Sequence, residues 1–273
     1  AQARNLAVAS EVPVLKGTNQ ATTLEEANAF YDSLGVGTAV MIKALAGGGG
    51  RGMRPVREKA ELEEAYARAT SEAQKAFGSG DLYLEEMLYP AKHVEVQIVG
   101  DGERVVHLWD RECSLQRQRQ KLVEIAPAFG LSTEIRTAML ESAQRIALAA
   151  DYEGVGTIEF LVGADDQGVD RFVFMEANAR LQVEHTVTEE VTGLDLVALQ
   201  LRLAGGENLD EIALTQDLIG EPKGVAVQVR VNLEKMNEDG TSIPGGGVLT
   251  SYEPPSGPGI RLDGFGYNGY STS

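Results

Sequence analysis

The sequence predicts an α+β fold of two lobes with largely antiparallel sheets, on three observations. Long amphipathic helices alternate irregularly with strands. Two apolar runs late in the chain pair as a hairpin. The order of elements also lacks the strict βαβα alternation of a parallel sheet. At 273 residues and 43% hydrophobic side chains, the chain can bury one large core or two modest ones.

Runs rich in valine and isoleucine predict strands over 39–44, 82–88, 93–99 and 104–109. Residues 58–77 place Leu62, Ala65, Tyr66, Ala69 and Ala73 on one stripe, and 133–150 do so with Ile135, Met139, Ala143 and Ile146. Both are predicted amphipathic helices. The strand-like runs 155–162 and 171–177 flank the polar stretch 163–170 and predict an antiparallel hairpin. Residues 187–203 predict one helix, 224–233 alternate as a strand, and glycine and proline from 244 to 269 predict turns around short strands.

Composition narrows the function. A net charge of −17 repels phosphate backbones and excludes nucleic acid as the main partner unless basic groups are concentrated. They gather in one place, Arg111, Arg117, Arg119 and Lys121, an island suited to a small anion or, on the plainer reading, a solvated charge run. Cys113 is the only cysteine, so no internal disulfide or cysteine metal cage is available. No apolar run approaches the roughly 20 residues of a membrane span, and no export signal opens the chain. The expectation is a soluble protein without a membrane partner, cytoplasmic or, in a eukaryote, in the mitochondrial matrix.

Two groups of residues carry chemistry. The run Gly47-Gly48-Gly49-Gly50-Arg51-Gly52-Met53 follows a strand bearing Lys43. Glycines let backbone N–H groups close on an anion, and the lysine adds the charge a phosphate needs. A flexible hinge is the alternative, and no Gly-Lys-Ser/Thr makes it a P-loop. On a strand, Glu176, Asn178 and, if extension persists, Arg180, Gln182 and Glu184 share one face. Across the hairpin, Glu159 interrupts an apolar strand. Two carboxylates and an amide offer the hard oxygens that Mg²⁺ or Mn²⁺ prefers, a structural ion pair being the alternative. With Arg180 to hold an oxyanion and Glu184 to accept a proton, the pattern points to metal-assisted phosphoryl transfer to a small anion. His185 falls on the other strand face if extension holds, and His93, Glu95 and Gln97 lie on a polar face opposite Val94, Val96 and Ile98.

The runs 43–53, 92–97, 111–127, 156–161 and 176–188 together resemble the ATP-grasp region of biotin carboxylases, including those within pyruvate, acyl-CoA and urea carboxylases, almost end to end. The resemblance implies a ligase that uses ATP and Mg²⁺ or Mn²⁺ to activate bicarbonate as carboxyphosphate and carboxylates biotin on a carrier protein. A carboxyltransferase and a homo-oligomeric parent are the further partners it implies. By resemblance, Lys43, Gly48, Gly49, Gly50, Glu85, Leu88, His93, Gln116 and Leu161 meet ATP, and Glu159, Glu176 and Asn178 hold metal. Lys121, Arg180, Gln182 and Val183 bind bicarbonate, Glu184 is the base, and Arg230 stabilises the biotin enolate; Lys121, Val183 and Arg230 rest on resemblance alone. The implied organisation is 1–15 as the end of an amino-terminal domain, 16–87 a small lid subdomain, 88–223 a large subdomain and 224–273 the start of a carboxyl-terminal one.

Where family members read Gln-Arg-Arg-His-Gln-Lys, this chain has Gln116-Arg117-Gln118-Arg119-Gln120-Lys121, arginine replacing a histidine that faces the nucleotide. A Gly-Asp-Lys nucleotide contact and the rest of the carboxyl-terminal subdomain are expected outside residues 1–273. A non-catalytic ATP-binding module, and a carbamoyl phosphate synthetase-like enzyme using ammonia, are the competing readings.

Overall fold

The computed structural model describes residues 2–18, 20–35, 38–47, 52–164, 168 and 170–272. These fall in two compact units, Ala1–Val229 and Arg230–Ser273. The first unit runs α1 (Gln2–Ala9), α2 (Leu24–Ser33), β1 (Val40–Ala44), β2 (Met53–Val56), α3 (Leu62–Phe77) and β3 (Leu82–Glu86). It continues with β4 (Ala91–Asp101), β5 (Val105–Arg117), β6 (Gln120–Ala126), α4 (Thr133–Leu148), β7 (Glu153–Ala164) and β8 (Asp170–Asn178). Helices α5 (His185–Thr192) and α6 (Leu196–Ala204) and strand β9 (Ala226–Val229) complete it.

Strands β2-β1-β3 form a small sheet and β8-β7-β4-β5-β6-β9 a large one, both antiparallel throughout. The fold is α+β, and the hairpin expected over 155–162 and 171–177 is β7 paired with β8. The stripe predicted on α3 buries Leu62, Ala65, Ala69 and Ala73 against Val40, Ile42, Leu82 and Leu84 of the small sheet. Helix α2 joins this core through Ala27 and starts at a capping box in which Thr23 and Glu26 exchange hydrogen bonds, an arrangement worth about 1 kcal/mol.

Period-two alternation divides the large sheet. Val94, Val96 and Ile98 of β4 and Ile158, Phe160 and Val162 of β7 face α4, whose Met139, Ala143 and Ile146 close that core. The opposite face carries Val99, Val106, Leu108 and Val155 at one end, under Leu196, Leu199 and Leu203 of α6. Further along the same face of β4 and β7 the residues turn polar, and the candidate site lies there.

Two of the register shifts in this sheet aim side chains at that polar face. In β5, Ile98 pairs with His107 but Val96 with Asp110, and Trp109 in the gap has a φ of 65°. In β8, Glu159 pairs with Glu176 but Phe160 with Phe174. A bulge moves every later side chain to the other face. Phe174 therefore stays in the α4 core while Glu176 reaches the polar face.

Three expectations are corrected. The helix predicted over 187–203 is two, because Gly193 takes the left-handed conformation at φ 75° and Asp195 caps a new helix, accepting from Ala198 N–H at 2.8 Å. Extension does not persist beyond Asn178, so Arg180, Gln182 and Glu184 are not on a strand face. His185 accordingly begins α5, with its Nδ1 2.7 Å from the Gln182 carbonyl oxygen. The strand expected over 224–233 pairs with β6 only along Ala226–Val229. In the second unit, β10 (Glu234–Met236) pairs with β11 (Ser242–Pro244), and β12 (Gly247–Val248) with β13 (Ser271–Thr272).

Candidate active site

Alternation on β4 and β7 brings His93, Glu95, Gln97, Thr157 and Glu159 to one face, all at most 9% exposed. Carboxylates so buried need charged or hydrogen-bonding partners. Glu159 receives His93 Nε2–H at 2.6 Å, while His93 Nδ1 accepts from Gln116 Nε2 at 2.7 Å. The same Gln116 nitrogen donates to the Cys113 carbonyl at 2.8 Å, which fixes the amide's orientation.

Beyond the Trp109 bulge, Arg111 lies opposite Glu95 and points into this face, fully buried. Its Nε donates to Glu95 Oε1 and its Nη1 to Gln97 Oε1, each at 2.6 Å. Strand β6 contributes Lys121, whose ammonium donates to Glu95, to Glu159 Oε1 at 2.9 Å and to Glu184 Oε1 at 2.7 Å. An ammonium has three protons, so three carboxylates saturate it.

The cationic island is thus no single surface patch. Arg111 and Lys121 are interior, whereas Arg119 donates to the Met53 carbonyl and ties the β5–β6 turn to β2.

After β8 the chain turns back, and Gln182 and Glu184 enter the cluster from that turn, buried to 7% and 2% exposure. Gln182 Nε2 donates to Glu159 Oε1 at 2.9 Å. Burial alone would raise the pKa of Glu184, but the charge and hydrogen bond of Lys121, with the charge of Arg111, hold it below the ordinary value. Burial likewise opposes ionisation of Glu159, and the bond from His93 with the charge of Lys121 outweighs it. Lys121 is the converse: burial disfavours its charge, yet Glu95, Glu159 and Glu184 raise its pKa. Burial and Glu95 push the Cys113 thiol far up, so at neutral pH, unless a metal ion binds beside it, it stays protonated and is no nucleophile.

The expected metal ligands come together. Asn178 Nδ2 donates to Glu159 Oε1 at 2.9 Å and to Glu176 Oε1 at 3.3 Å. Four carboxylates, Glu95, Glu159, Glu176 and Glu184, gather here around Arg111 and Lys121. Such hard carboxylate oxygens fit a divalent cation, and rotation of the Asn178 amide would add its oxygen to the set.

On the small-lobe side, Lys43 is ion-paired to Glu85, which Arg4 also approaches at 3.4 Å. Leu88 and Leu161 pack together with Leu15 and Val173. Gly48, Gly49 and Gly50 lie outside the described residues. Their flank Gly52 has φ 69° and accepts a hydrogen bond from Ala44 N–H at 2.9 Å, which anchors the far side of the loop to β1. Arg180 and Val183 are exposed, the Arg180 guanidinium donating to the Leu181 carbonyl at 3.2 Å. Arg230 is the first residue of the second unit.

The sequence marked Arg111 only as part of a cationic island and Glu95 and Gln97 only as a polar strand face turned to solvent or a nucleotide pocket, and it did not mark Thr157 or Thr188. The signal for Glu95 and Gln97 was present, since they alternate with buried valines. Arg111 depended on the bulge.

Residues 1–212 match the family model of the carbamoyl-phosphate synthase L chain, ATP binding domain. Pyruvate carboxylase of Aspergillus niger is 47% identical over 264 residues, which cover 96% of this chain and 21% of that protein. Among solved structures, a biotin carboxylase complex with β-γ-ATP from Campylobacter jejuni is similar with a TM-score of 0.89 and 38% identity, over 99% of this chain and 58% of its own. The biotin carboxylase domain dimer of Hydrogenobacter thermophilus 2-oxoglutarate carboxylase, in complex with MgADP, ADP and bicarbonate, gives the same TM-score, identity and coverage. The chain therefore spans about a fifth of the length of the curated relatives it matches. With the family model covering most of its length and an antiparallel two-sheet architecture shared with these structures, the chain belongs to the family of carbamoyl-phosphate synthase L chain ATP-binding domains, in the ATP-grasp form found in biotin carboxylases.

Proposed function

We propose that this chain is the ATP-grasp core with which a biotin-dependent carboxylase uses ATP and bicarbonate to carboxylate biotin on a carrier protein. The observation that carries the reading is the saturated Lys121 ammonium held by Glu95, Glu159 and Glu184 beside the Glu176–Asn178 pair. Solved relatives bind MgADP and bicarbonate, which supports the same ligands here.

Lys43, with the glycine run, is assigned to the nucleotide phosphates; Glu85, Leu88, Leu161, His93 and Gln116 line the nucleoside side. Glu159, Glu176 and Asn178 would hold Mg²⁺ or Mn²⁺, which when bound neutralises phosphate charge. Lys121, Arg180, Gln182 and Val183 receive bicarbonate. The reacting bicarbonate oxygen attacks the γ-phosphorus, ADP leaves, and carboxyphosphate forms. Its decomposition gives CO₂ and phosphate; the released phosphate takes the proton of the biotin ureido N–H as that nitrogen bonds to CO₂.

The electrostatics give Glu184 a way to act as base. While bonded to Lys121 it is a weak one, because that cation supplies the largest lowering influence on its pKa. An anion taking its place on Lys121 breaks that hydrogen bond and screens that charge, so burial, which favours the protonated acid, weighs more against the remaining influence of Arg111. Bicarbonate binding thereby prepares its own proton acceptor. Arg230 is assigned to the biotin enolate. A carboxyl carrier, a carboxyltransferase and a second copy of the chain are the partners of the parent enzyme, in the cytoplasm or the mitochondrial matrix.

The family model's own description favours a second reading, in which ammonia takes the place of biotin. ATP cleavage by the full-length parent, measured with Mg²⁺, with and without bicarbonate, biotin and ammonium, separates them. Bicarbonate-dependent cleavage raised by biotin supports the carboxylase. Stimulation by ammonium alone replaces it, and nucleotide binding without turnover leaves only a binding module.

A further inference from the structure

One fully buried charge in the cluster has no part in the proposed reaction. Arg111 is fully buried, and its three guanidinium nitrogens reach five side chains from three elements and the turn before α5. Nε holds Glu95 and Nη1 holds Gln97, as described; Nη1 also donates to Thr188 Oγ1 of α5 at 2.9 Å, and Nη2 to Thr157 Oγ1 of β7 at 3.2 Å. A last donation, from Nη2 to Gln182 Oε1, spans 3.5 Å, the outer limit of a hydrogen bond.

Two of those five lead directly to the anion-binding groups. Glu95 gives one oxygen to Arg111 and the other to Lys121, so the guanidinium fixes where the ammonium sits. Gln182 turns its oxygen to Arg111 and its nitrogen to Glu159, so the amide has one orientation. A planar fork with five rigid donors can hold both at once, whereas an ammonium cannot. The Trp109 bulge is what aims the fork here, since without it Arg111 would face α4.

We propose that Arg111 is a positioning residue for bicarbonate: it sets Lys121 through Glu95 and Gln182 directly, without itself touching the nucleotide. This rests on the carboxylase reading above.

The test is calorimetric titration of bicarbonate into the protein saturated with Mg²⁺ and a non-hydrolysable ATP analogue, with affinity for that analogue measured in parallel. Arg111→Lys keeps the charge and loses the fork. Its bicarbonate affinity is expected to fall about 10-fold or more, as for loss of a charge-assisted bond, with nucleotide affinity within about twofold. Thr188→Val removes one support of the same guanidinium, and its bicarbonate affinity is expected to fall about threefold. Ile146→Val, a core change under the other sheet face, lowers thermal stability and leaves both affinities unchanged.

Bicarbonate binding by Arg111→Lys within about twofold of the unaltered protein overturns the inference, as does a proportional loss of both affinities, which marks a purely structural role. Should Arg111→Lys not fold, Thr188→Val decides, and unchanged bicarbonate affinity there overturns it. If the unaltered protein binds the nucleotide but no bicarbonate, the carboxylase reading falls first and this inference with it.

Discussion

Replacing Lys121 by methionine keeps a long flexible side chain and deletes the charge that three carboxylates share. Glu95 would retain Arg111 at 2.6 Å, and Glu159 would retain His93 at 2.6 Å, Gln182 at 2.9 Å and Asn178 at 2.9 Å. Glu184 loses the strongest influence lowering its pKa. Removing one partner of a buried pair costs about 3–5 kcal/mol, and the 12% exposure of Lys121 with the partners left to Glu95 and Glu159 places this case near 3 kcal/mol at pH 7. The pH dependence gives the sign. In the native protein Glu184 titrates below 4.5, so its stabilisation is present above that pH and lost as pH falls through the folded value. In Lys121→Met the influence of burial outweighs that left by Arg111 and raises the pKa of Glu184, so the variant is expected to regain stability on acidification as the carboxylate takes up a proton. Urea unfolding at pH 7 and pH 5 should show the deficit shrinking by about 1 kcal/mol or more at the lower pH. A deficit under about 1 kcal/mol at pH 7, or one equal at both pH values, would refute the assignment of Lys121 as the cluster's central cation.

Glu176→Gln removes a carboxylate from the metal set, and Mg²⁺-dependent ATP cleavage should fall at least about 100-fold in steady-state assays, with unchanged cleavage removing the metal assignment. Lys43→Ala should weaken nucleotide binding roughly 10-fold by calorimetry, whereas equal affinity would restore the reading of the glycine run as a hinge. His107 is held by burial at a pKa of about 4, below its usual 6.5. Its contribution is therefore present above pH 6.5 and lost as pH falls through 4, on the order of 2 kcal/mol after allowance for partial exposure. His107→Gln should flatten the stability profile across that window, and an unaltered slope would assign the acid sensitivity elsewhere.

Periodicity carried the helices and the hairpin because their stripes are apolar and unbroken. Helix α3 is buried along the residues that its sequence marks, and β7 and β8 pair across the polar stretch between them. It failed wherever the backbone changes conformation at one residue. Gly193 splits one helically spaced pattern into two helices, and no count of apolar spacing registers a left-handed residue inside it. Strand β6 was hidden because Lys121 and Glu124 belong to interior polar contacts, which in sequence look like a solvated charge run. Glu176 and Asn178 were placed on the correct side by a local argument, yet strict alternation along β8 would have put Phe174 beside them; the bulge resolves that conflict. Gln182 and Glu184 reach the cluster by a turn, so their shared face was a correct grouping reached through a strand that ends at Asn178. Arg111 needed the Trp109 bulge and cross-strand register, neither of which leaves a mark in composition or spacing.

Isotope transfer tests the central claim most directly. Bicarbonate labelled with ¹⁸O is supplied with Mg²⁺-ATP and biotin, and the phosphate released is analysed by mass spectrometry. If a bicarbonate oxygen attacks the γ-phosphorus, each phosphate formed carries one labelled oxygen. ATP turnover that yields unlabelled phosphate would mean that water is the nucleophile, and would contradict bicarbonate activation at the Lys121–Glu184 cluster.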